Sequence, residues 1–461
     1  MNVVFLGGGS LRLTPIIRGL LKREGIFNGG SIRLVDRMLD RAELVGRAVM
    51  RCPEMKGVDC RVSWTDDLDS ALEGADMLYI TMAIEREPSG YLSSEASVRY
   101  GFLCSDQLSV NGAFLAARGG SPILSFARKM EKYCPKAMML IFANPVAVYS
   151  AMVNNHTKIR ALGICGGYRN HCWDLPRICG RDEYDDSMDV VSAGVNHLSF
   201  ILRGDWRGRG VFDALREHLT PTWQPPAITT NSRVEAVQLG LRQMADLFHR
   251  YGTTIFSTEG DGIGHLFPEG YLKQQKEHFK PLTADQLKQH AANAKSSIDA
   301  RFAKFASELN RNDNSIWNAP IAKNPMFGLD TSDLSISVMA ALAGLGSFRI
   351  AASAPNRGAV AGFGDRMALE YTMTIDGKNL TPEKNLYVPA PFYSFIAGLS
   401  EFQTLQGDAI ATGDPRIFAD ALEAYPVNRF SSKRREFFRE IFDIYTDIPK
   451  SLQDGKNFVR G

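Results

Sequence analysis

One stretch narrows the possible folds more than any other: "VVFLGGGSLRLTPIIRGL", Val3 to Leu20, where an apolar strand runs into three glycines and then into apolar residues at helical spacing. Glycines in such a turn let the backbone approach a pyrophosphate closely, and the free N–H groups and dipole of the following helix favour its charge. Gly7 and Gly9 take the first two positions of the G-x-G-x-x-G fingerprint, Gly8, Ser10 and Leu11 complete the turn, and Arg12 stands at the third position. Asp36 ends the next apolar strand, "SIRLVDR", where an acidic side chain hydrogen-bonds an adenosine ribose and disfavours a 2′-phosphate. These residues, with Arg37 beside the acid, predict a dinucleotide site that prefers NAD over NADP.

A long helical stretch follows, and then "GADMLYITMA", "KAMMLIFANPV" and "IRALGICGG" supply further apolar strands. Alternation of strands with helices implies an α/β, Rossmann-type doubly wound sheet of the lactate and malate dehydrogenase kind. A nucleotide-binding domain is expected over residues 1–170 and a mixed α+β substrate domain over 171–461. In the second part, "MDVVSAGVNHLSFILRG" alternates like a half-buried strand, amphipathic helices occupy 232–309, and strand-like alternation returns in "FRIAASAPNRGAVAGFGDRMALEYTMTIDG" before a helical C-terminal segment.

Composition excludes several function classes. The 53 basic and 51 acidic residues are interspersed and give a net charge of +2, so neither a nucleic-acid surface nor a polybasic membrane anchor is indicated. The longest apolar runs fall short of the ~20 residues a membrane span needs. The N-terminus enters a strand without the regions of a signal peptide, and seven cysteines without a CxxC pair read as reduced thiols, which predicts a cytoplasmic protein. A small-molecule partner is favoured.

Two residues have the chemistry for a transition metal: Cys165, ending an apolar strand, and His197, near the start or middle of another. Their separation carries no spacing signature, and His171, Cys172 and Cys179, in what reads as a surface loop, offer a different ligand set. Asn144, in "ANPV", follows a strand at its carboxyl end, where ligands bind in open α/β sheets.

Taken together, "GGGSxxxTP" from Gly7, "YCPKAMMLIFANPV", "GIC" at Gly163–Cys165, "GVNH" at Gly194–His197 and "APNRGAVAGFGDRMALEY" resemble family 4 of the glycoside hydrolases, in the same order over nearly the whole chain. The resemblance implies NAD and Mn²⁺, or another divalent metal, as cofactors, Cys165 and His197 as metal ligands, and Asp106, Gln107, Asn144, Asn196 and Arg357 as sugar contacts. It also implies hydrolysis through transient oxidation at carbon 3, metal-assisted loss of the carbon 2 proton, elimination of the aglycone, water addition and re-reduction, an exception to the two-carboxylate route. Asp261, in "FSTEGDGIGHLFPEGY", matches the base of the subgroup acting on unphosphorylated α-glucosides, α-galactosides or uronides, with Tyr271 and His265 as substitutes. Relatives form homodimers or homotetramers.

Gly166 departs from the pattern, standing where many members carry aspartate, asparagine or histidine, as does Gly264, which replaces an arginine. Only a gathering of Arg12, Arg86, Arg118 and Arg357 would make a phosphate pocket. Two alternatives share the glycine turn: an NAD-dependent sugar or 2-hydroxyacid dehydrogenase with net hydride transfer, and a non-catalytic NAD- and sugar-binding homologue.

Overall fold

Apolar runs such as "MLYI" and "MMLI" suit strands covered on both faces, and they form the centre of a parallel sheet. The computed structural model describes residues 1–82, 84, 87–311, 317 and 333–460. Strands β1 (Asn2–Leu6), β2 (Gly30–Val35), β3 (Cys60–Thr65), β4 (Met77–Ile80), β5 (Met138–Ile141) and β6 (Arg160–Gly163) pair in parallel in the order β3-β2-β1-β4-β5-β6. The order reverses between β1 and β4, and the carboxyl ends flanking that point are where α/β sheets bind ligands.

The expected second unit continues the same sheet. Strands β7 (Met188–Val195), β8 (Leu198–Trp206), β9 (Arg209–Gly210), β10 (Ser347–Pro355), β11 (Ala368–Asp376) and β12 (Asn379–Pro382) add antiparallel to it. β10 joins β6 through the pair Ser353↔Gly163, and β11 joins β7 through Glu370↔Gly194 and Tyr371↔Ala193. Twelve strands among the described residues thus form one sheet, parallel in its first half and antiparallel in its second.

Three local expectations are corrected. The long helical stretch after Asp36 is interrupted by β3, an edge strand whose half-buried side chains conceal its periodicity. "MDVVSAGVNHLSFILRG" is a hairpin rather than one strand: β7 and β8 pair from Val195↔Leu198 outward, with Asn196 and His197 as the turn. β7 is also almost wholly buried, because β11 and the helices cover it. Finally, His171, Cys172 and Cys179 lie buried on or against the helix His171–Ile178, not in a surface loop.

Candidate active site

The glycine turn packs between strand ends too closely for side chains. Gly7 adopts φ +83°, and a Cβ there would stand 2.9 Å from the Met82 backbone nitrogen; at Gly8 it would stand 2.6 Å from that of Val35. The Gly7 and Gly8 N–H groups donate to Val35 O, and Ser10 N–H donates to Gly7 O. Asp36 accepts from Gly9 N–H at 2.9 Å and from Met38 N–H at 2.9 Å, which fixes its carboxylate beside the turn. Each of its oxygens keeps a further lone pair for a ribose hydroxyl. Leu11 is buried under the turn and Arg37 is exposed. A cavity of about 240 Å³, lined by Arg12, Thr81, Met82, Phe142 and Asn144 among others, opens from the strand ends beyond the turn. Arg12 lies along it, paired with Asp333 at 2.8 Å and 3.7 Å over the Phe142 ring. The turn, acid and cavity therefore fit a dinucleotide.

Asn144, Asp106 and Gln107 converge on that cavity's rim. Asn144 Nδ2 donates to Asp106 Oδ2 at 2.9 Å, and Gln107 Nε2 donates to Asn144 Oδ1 at 2.5 Å. The loop that carries them is pinned at its base, where Gln107 N–H donates to Ser105 Oγ and Ser105 N–H to Ser109 Oγ. From the helix Pro268–His278, Gln275 clamps Cys104 through both its amide atoms.

Beside them stands the sulfur and imidazole pair. Cys165 Sγ lies 3.3 Å from His197 Nε2. Even the short bonds of a zinc ion, about 2.3 Å to sulfur and 2.0–2.1 Å to nitrogen, meeting at 90–110°, separate the donors by about 3.1–3.6 Å, so the pair is spaced to share one divalent ion. Among the described residues these two side chains, rather than a group of three or more, supply the donors. His197 owes its place to the hairpin turn, where it adopts φ +69°, a left-handed conformation that histidine tolerates better than most side chains. Asn196, its neighbour in the turn, donates Nδ2–H to Glu370 Oε2 at 2.6 Å, and Ser199 donates to the other oxygen. Asn196 thus anchors the turn, while its Oδ1 is buried without a hydrogen-bond partner. Burial pushes the Glu370 carboxyl up to about 7.

His197 Nδ1 stands 3.1 Å from Glu259 Oε2 and 3.9 Å from Asp261 Oδ2. Burial disfavours an imidazolium here, but the Cys165 sulfur and the Glu259 carboxylate outweigh it and hold the ring well above its usual range. Asp261 lies in the first turn of the short helix Gly260–Ile263 with 37% of its side chain exposed. Tyr271 packs its ring under Gly260 and Gly264, and its hydroxyl donates to Thr258 O at 3.4 Å. Its phenol is pushed up by burial. His265 is buried near the Asp261 and Leu108 backbone with neither ring nitrogen in a well-aligned hydrogen bond, and burial pulls it down to about 4.

Arg357 does not join this cluster. Its guanidinium donates to Asn154 O and Asn155 Oδ1, about 12 Å along the helix Val146–His156 from the Asn144 end. Arg118 pairs with Asp447, so Arg12, Arg118 and Arg357 are each engaged separately, and Arg86 lies outside the described residues. The residue that sequence reasoning missed is Glu259, two positions before Asp261 and indistinguishable there from an ordinary loop acid.

Known proteins resemble the chain in sequence and in fold. The family model "Family 4 glycosyl hydrolase" matches residues 2–171, and "Family 4 glycosyl hydrolase C-terminal domain" matches 192–427. A 6-phospho-beta-glucosidase of Escherichia coli (strain K12) is 26% identical over 207 residues, 44% of this chain and 45% of the relative. An alpha-galactosidase of Bacillus subtilis (strain 168) is 24% identical over 220 residues, 47% of this chain and 50% of the relative. The chain thus matches about half the length of these curated relatives. A solved 6-phospho-alpha-glucosidase from gut microorganisms, in complex with NAD and Mn²⁺, superposes with a TM-score of 0.72 at 17% identity over 98% of each chain, which shows the shared fold.

Proposed function

Because the chain belongs to family 4 of the glycosyl hydrolases, we propose that it is a cytoplasmic glycosidase that works with NAD and Mn²⁺ on a small glycoside. The observation that carries this reading is the meeting, at one set of strand ends, of the Cys165–His197 donor pair with the Asp106–Asn144–Gln107 chain beside the glycine turn. When bound, the nicotinamide would supply a hydride acceptor for carbon 3 of the sugar, and the metal would polarise the oxygen there and acidify the neighbouring carbon 2 proton.

The chain's own residues supply the rest. The turn Gly7, Gly8, Gly9, Ser10 and Leu11 would let the backbone approach the pyrophosphate closely, since its glycines carry no side chains there, and Asp36 would take the ribose. Cys165 and His197 would hold the ion. Asn144, Gln107 and Asp106 orient sugar hydroxyls through polar atoms already fixed by one another. Asp261 would be the base for the carbon 2 proton: its carboxylate is partly exposed and stands 3.9 Å from His197 Nδ1, whereas Tyr271 is buried with its hydroxyl on the Thr258 carbonyl. His265 is kept neutral by burial and lines the back of this loop. Arg12, Arg118 and Arg357 are each engaged separately, and the assay below compares sugars with and without a 6-phosphate. The cofactor turn lies in residues 1–170, while the metal and sugar sites straddle the expected boundary at 170, with Cys165, Asn144, Asp106 and Gln107 before it and His197 and Asp261 after it. The proposal includes self-association as a homodimer or homotetramer, by analogy with the family the sequence resembles.

The test is deuterium incorporation at carbon 2 of the released sugar. It uses α- and β-glycosides with and without a 6-phosphate, plus NAD, Mn²⁺ and reductant in deuterated buffer. Cleavage with deuterium at carbon 2 and no net NADH supports the reading; net NADH without cleavage makes the chain a dehydrogenase, and binding without either makes it a non-catalytic homologue.

A further inference from the structure

Gly166 and Gly167 leave the end of β6 without a side chain directly after Cys165, where the resembling sequences carry a polar group. At Gly166 the space is open, with Phe142 Cζ the nearest foreign atom at 3.9 Å, but a Cβ at Gly167 would stand 2.8 Å from Glu259 Oε2 and 3.6 Å from Cys165 Sγ. A carboxylate carried by another element thus fills the volume that a side chain at Gly167 would take.

That carboxylate is held in place. Glu259 N–H donates to Ser257 Oγ at 3.1 Å, and Asn170 Nδ2–H donates to the same oxygen at 3.1 Å. Next to it, Thr258 donates both N–H and Oγ–H to Asp174, which is buried in an ion pair with Arg177. The segment Ser257–Glu259 is therefore locked onto the helix His171–Ile178. Glu259 Oε2 and His197 Nδ1 are both buried and meet at an ion-pair distance of 3.1 Å without a well-aligned hydrogen bond, while 39% of the Glu259 side-chain surface stays exposed.

The carboxylate reaches His197 on the ring nitrogen that does not face sulfur, at 3.1 Å from Nδ1, with Cys165 Sγ 3.3 Å from Nε2. An imidazole whose Nδ1–H points at a carboxylate presents its Nε2 lone pair outward, the arrangement that orients metal-binding histidines and raises their basicity. Asp261, at 3.9 Å, is the more distant acid.

We propose that Glu259 is a positioning residue of the metal site: it fixes His197 as the Nδ1–H tautomer and so aims Nε2 at the ion, a role filled from the 257–261 loop because Gly166 and Gly167 offer nothing from the strand. This rests on the metal reading above.

The experiment titrates Mn²⁺ into chelator-stripped protein, followed by electron paramagnetic resonance, for wild type, Glu259→Gln, Glu259→Ala and Gly167→Ala. Melting of the stripped proteins is measured alongside. Wild type should bind one Mn²⁺ per chain. Glu259→Ala should weaken binding about 10- to 100-fold, the usual cost of losing a histidine's outer partner, without lowering the melting temperature of stripped protein. Glu259→Gln keeps an acceptor for Nδ1–H and should recover most of the loss. Gly167→Ala, which displaces the carboxylate without removing it, should fall between them. Cobalt(II) in Glu259→Ala should still show thiolate-to-metal charge transfer, since Cys165 is untouched. Wild-type affinity in Glu259→Ala overturns the positioning role alone; a wild type that binds no Mn²⁺ overturns the metal reading and this inference with it. If Glu259→Ala does not fold, equal affinity of Glu259→Gln, Gly167→Ala and wild type overturns the proposal.

Discussion

Gly262→Ala gives the sharpest test of how the metal pair is held. Gly262 lies under the hairpin turn, and an alanine Cβ there would meet His197 O at 1.7 Å and its carbonyl carbon at 2.7 Å. Real Cβ atoms essentially never approach closer than 3.0 Å, so turn and loop must separate by at least 1.3 Å, the difference of those two distances. Ligand positions at a metal tolerate about ±0.2 Å. The required shift exceeds that several-fold and acts on the residue that carries Nε2. Mn²⁺ affinity should therefore drop by more than about 100-fold, beyond the usual loss from an outer-sphere change. Overpacking of this kind also costs about 1–3 kcal/mol. At ~2.1 cal/mol/K per residue, that lowers the melting temperature by only a few degrees in a chain of this length. Gly166→Ala is the control: it lies next to Cys165, yet its nearest foreign atom, Phe142 Cζ, would be 3.9 Å away, so affinity should stay within about two-fold. The assay is Mn²⁺ titration of stripped protein with melting in parallel. Wild-type affinity in Gly262→Ala would refute the claim that the turn's position sets the site.

Asp261→Asn should slow carbon 2 hydrogen exchange by about 10²- to 10⁴-fold, the range for a lost general base, while Tyr271→Phe changes it little; the reverse ranking would transfer the role to Tyr271. Asn144→Ala should raise KM and lower kcat together, because it frees Asp106 and Gln107 as well as removing one contact; an effect on stability alone would take the cluster out of the substrate site. The two histidines held near 4 by burial, His171 and His265, bind protons more readily when unfolded, so stability falls as pH drops from about 6.5 to about 4, by up to about 3 kcal/mol each. Urea unfolding at pH 7 and pH 4.5 should show a smaller difference in His265→Gln than in wild type, and identical pH dependence in the two proteins would count against it.

Much of the cofactor half was legible in the chain. Strand, glycines and helix announce themselves through local pattern, and Asp36 is found by its distance along the sequence from the turn. The edge strand β3 was not legible, since its half-buried side chains dilute the periodicity that marks a strand. The hairpin at Asn196–His197 was read as part of one strand because its turn contains no glycine: His197 takes the left-handed position itself. Arg357 resembled a sugar contact by its motif, yet the loop after β10 delivers it to Asn154 instead.

What the sequence by itself determined is the class of the sheet and the glycine turn with its acid, because strand, glycines and acid are written in local pattern; Cys165, His197 and Asn144 stood out only through their place in motifs that resemble a known family. What only the tertiary structure decided is which distant side chains meet: Glu259 against His197, Asp106 and Gln107 on Asn144, and Arg357 away from all of them. The physical reason is that a strand's end is written in its own residues, whereas the partners of a side chain depend on how strands far apart in the chain are joined into one sheet and on which residues are small enough to let them approach.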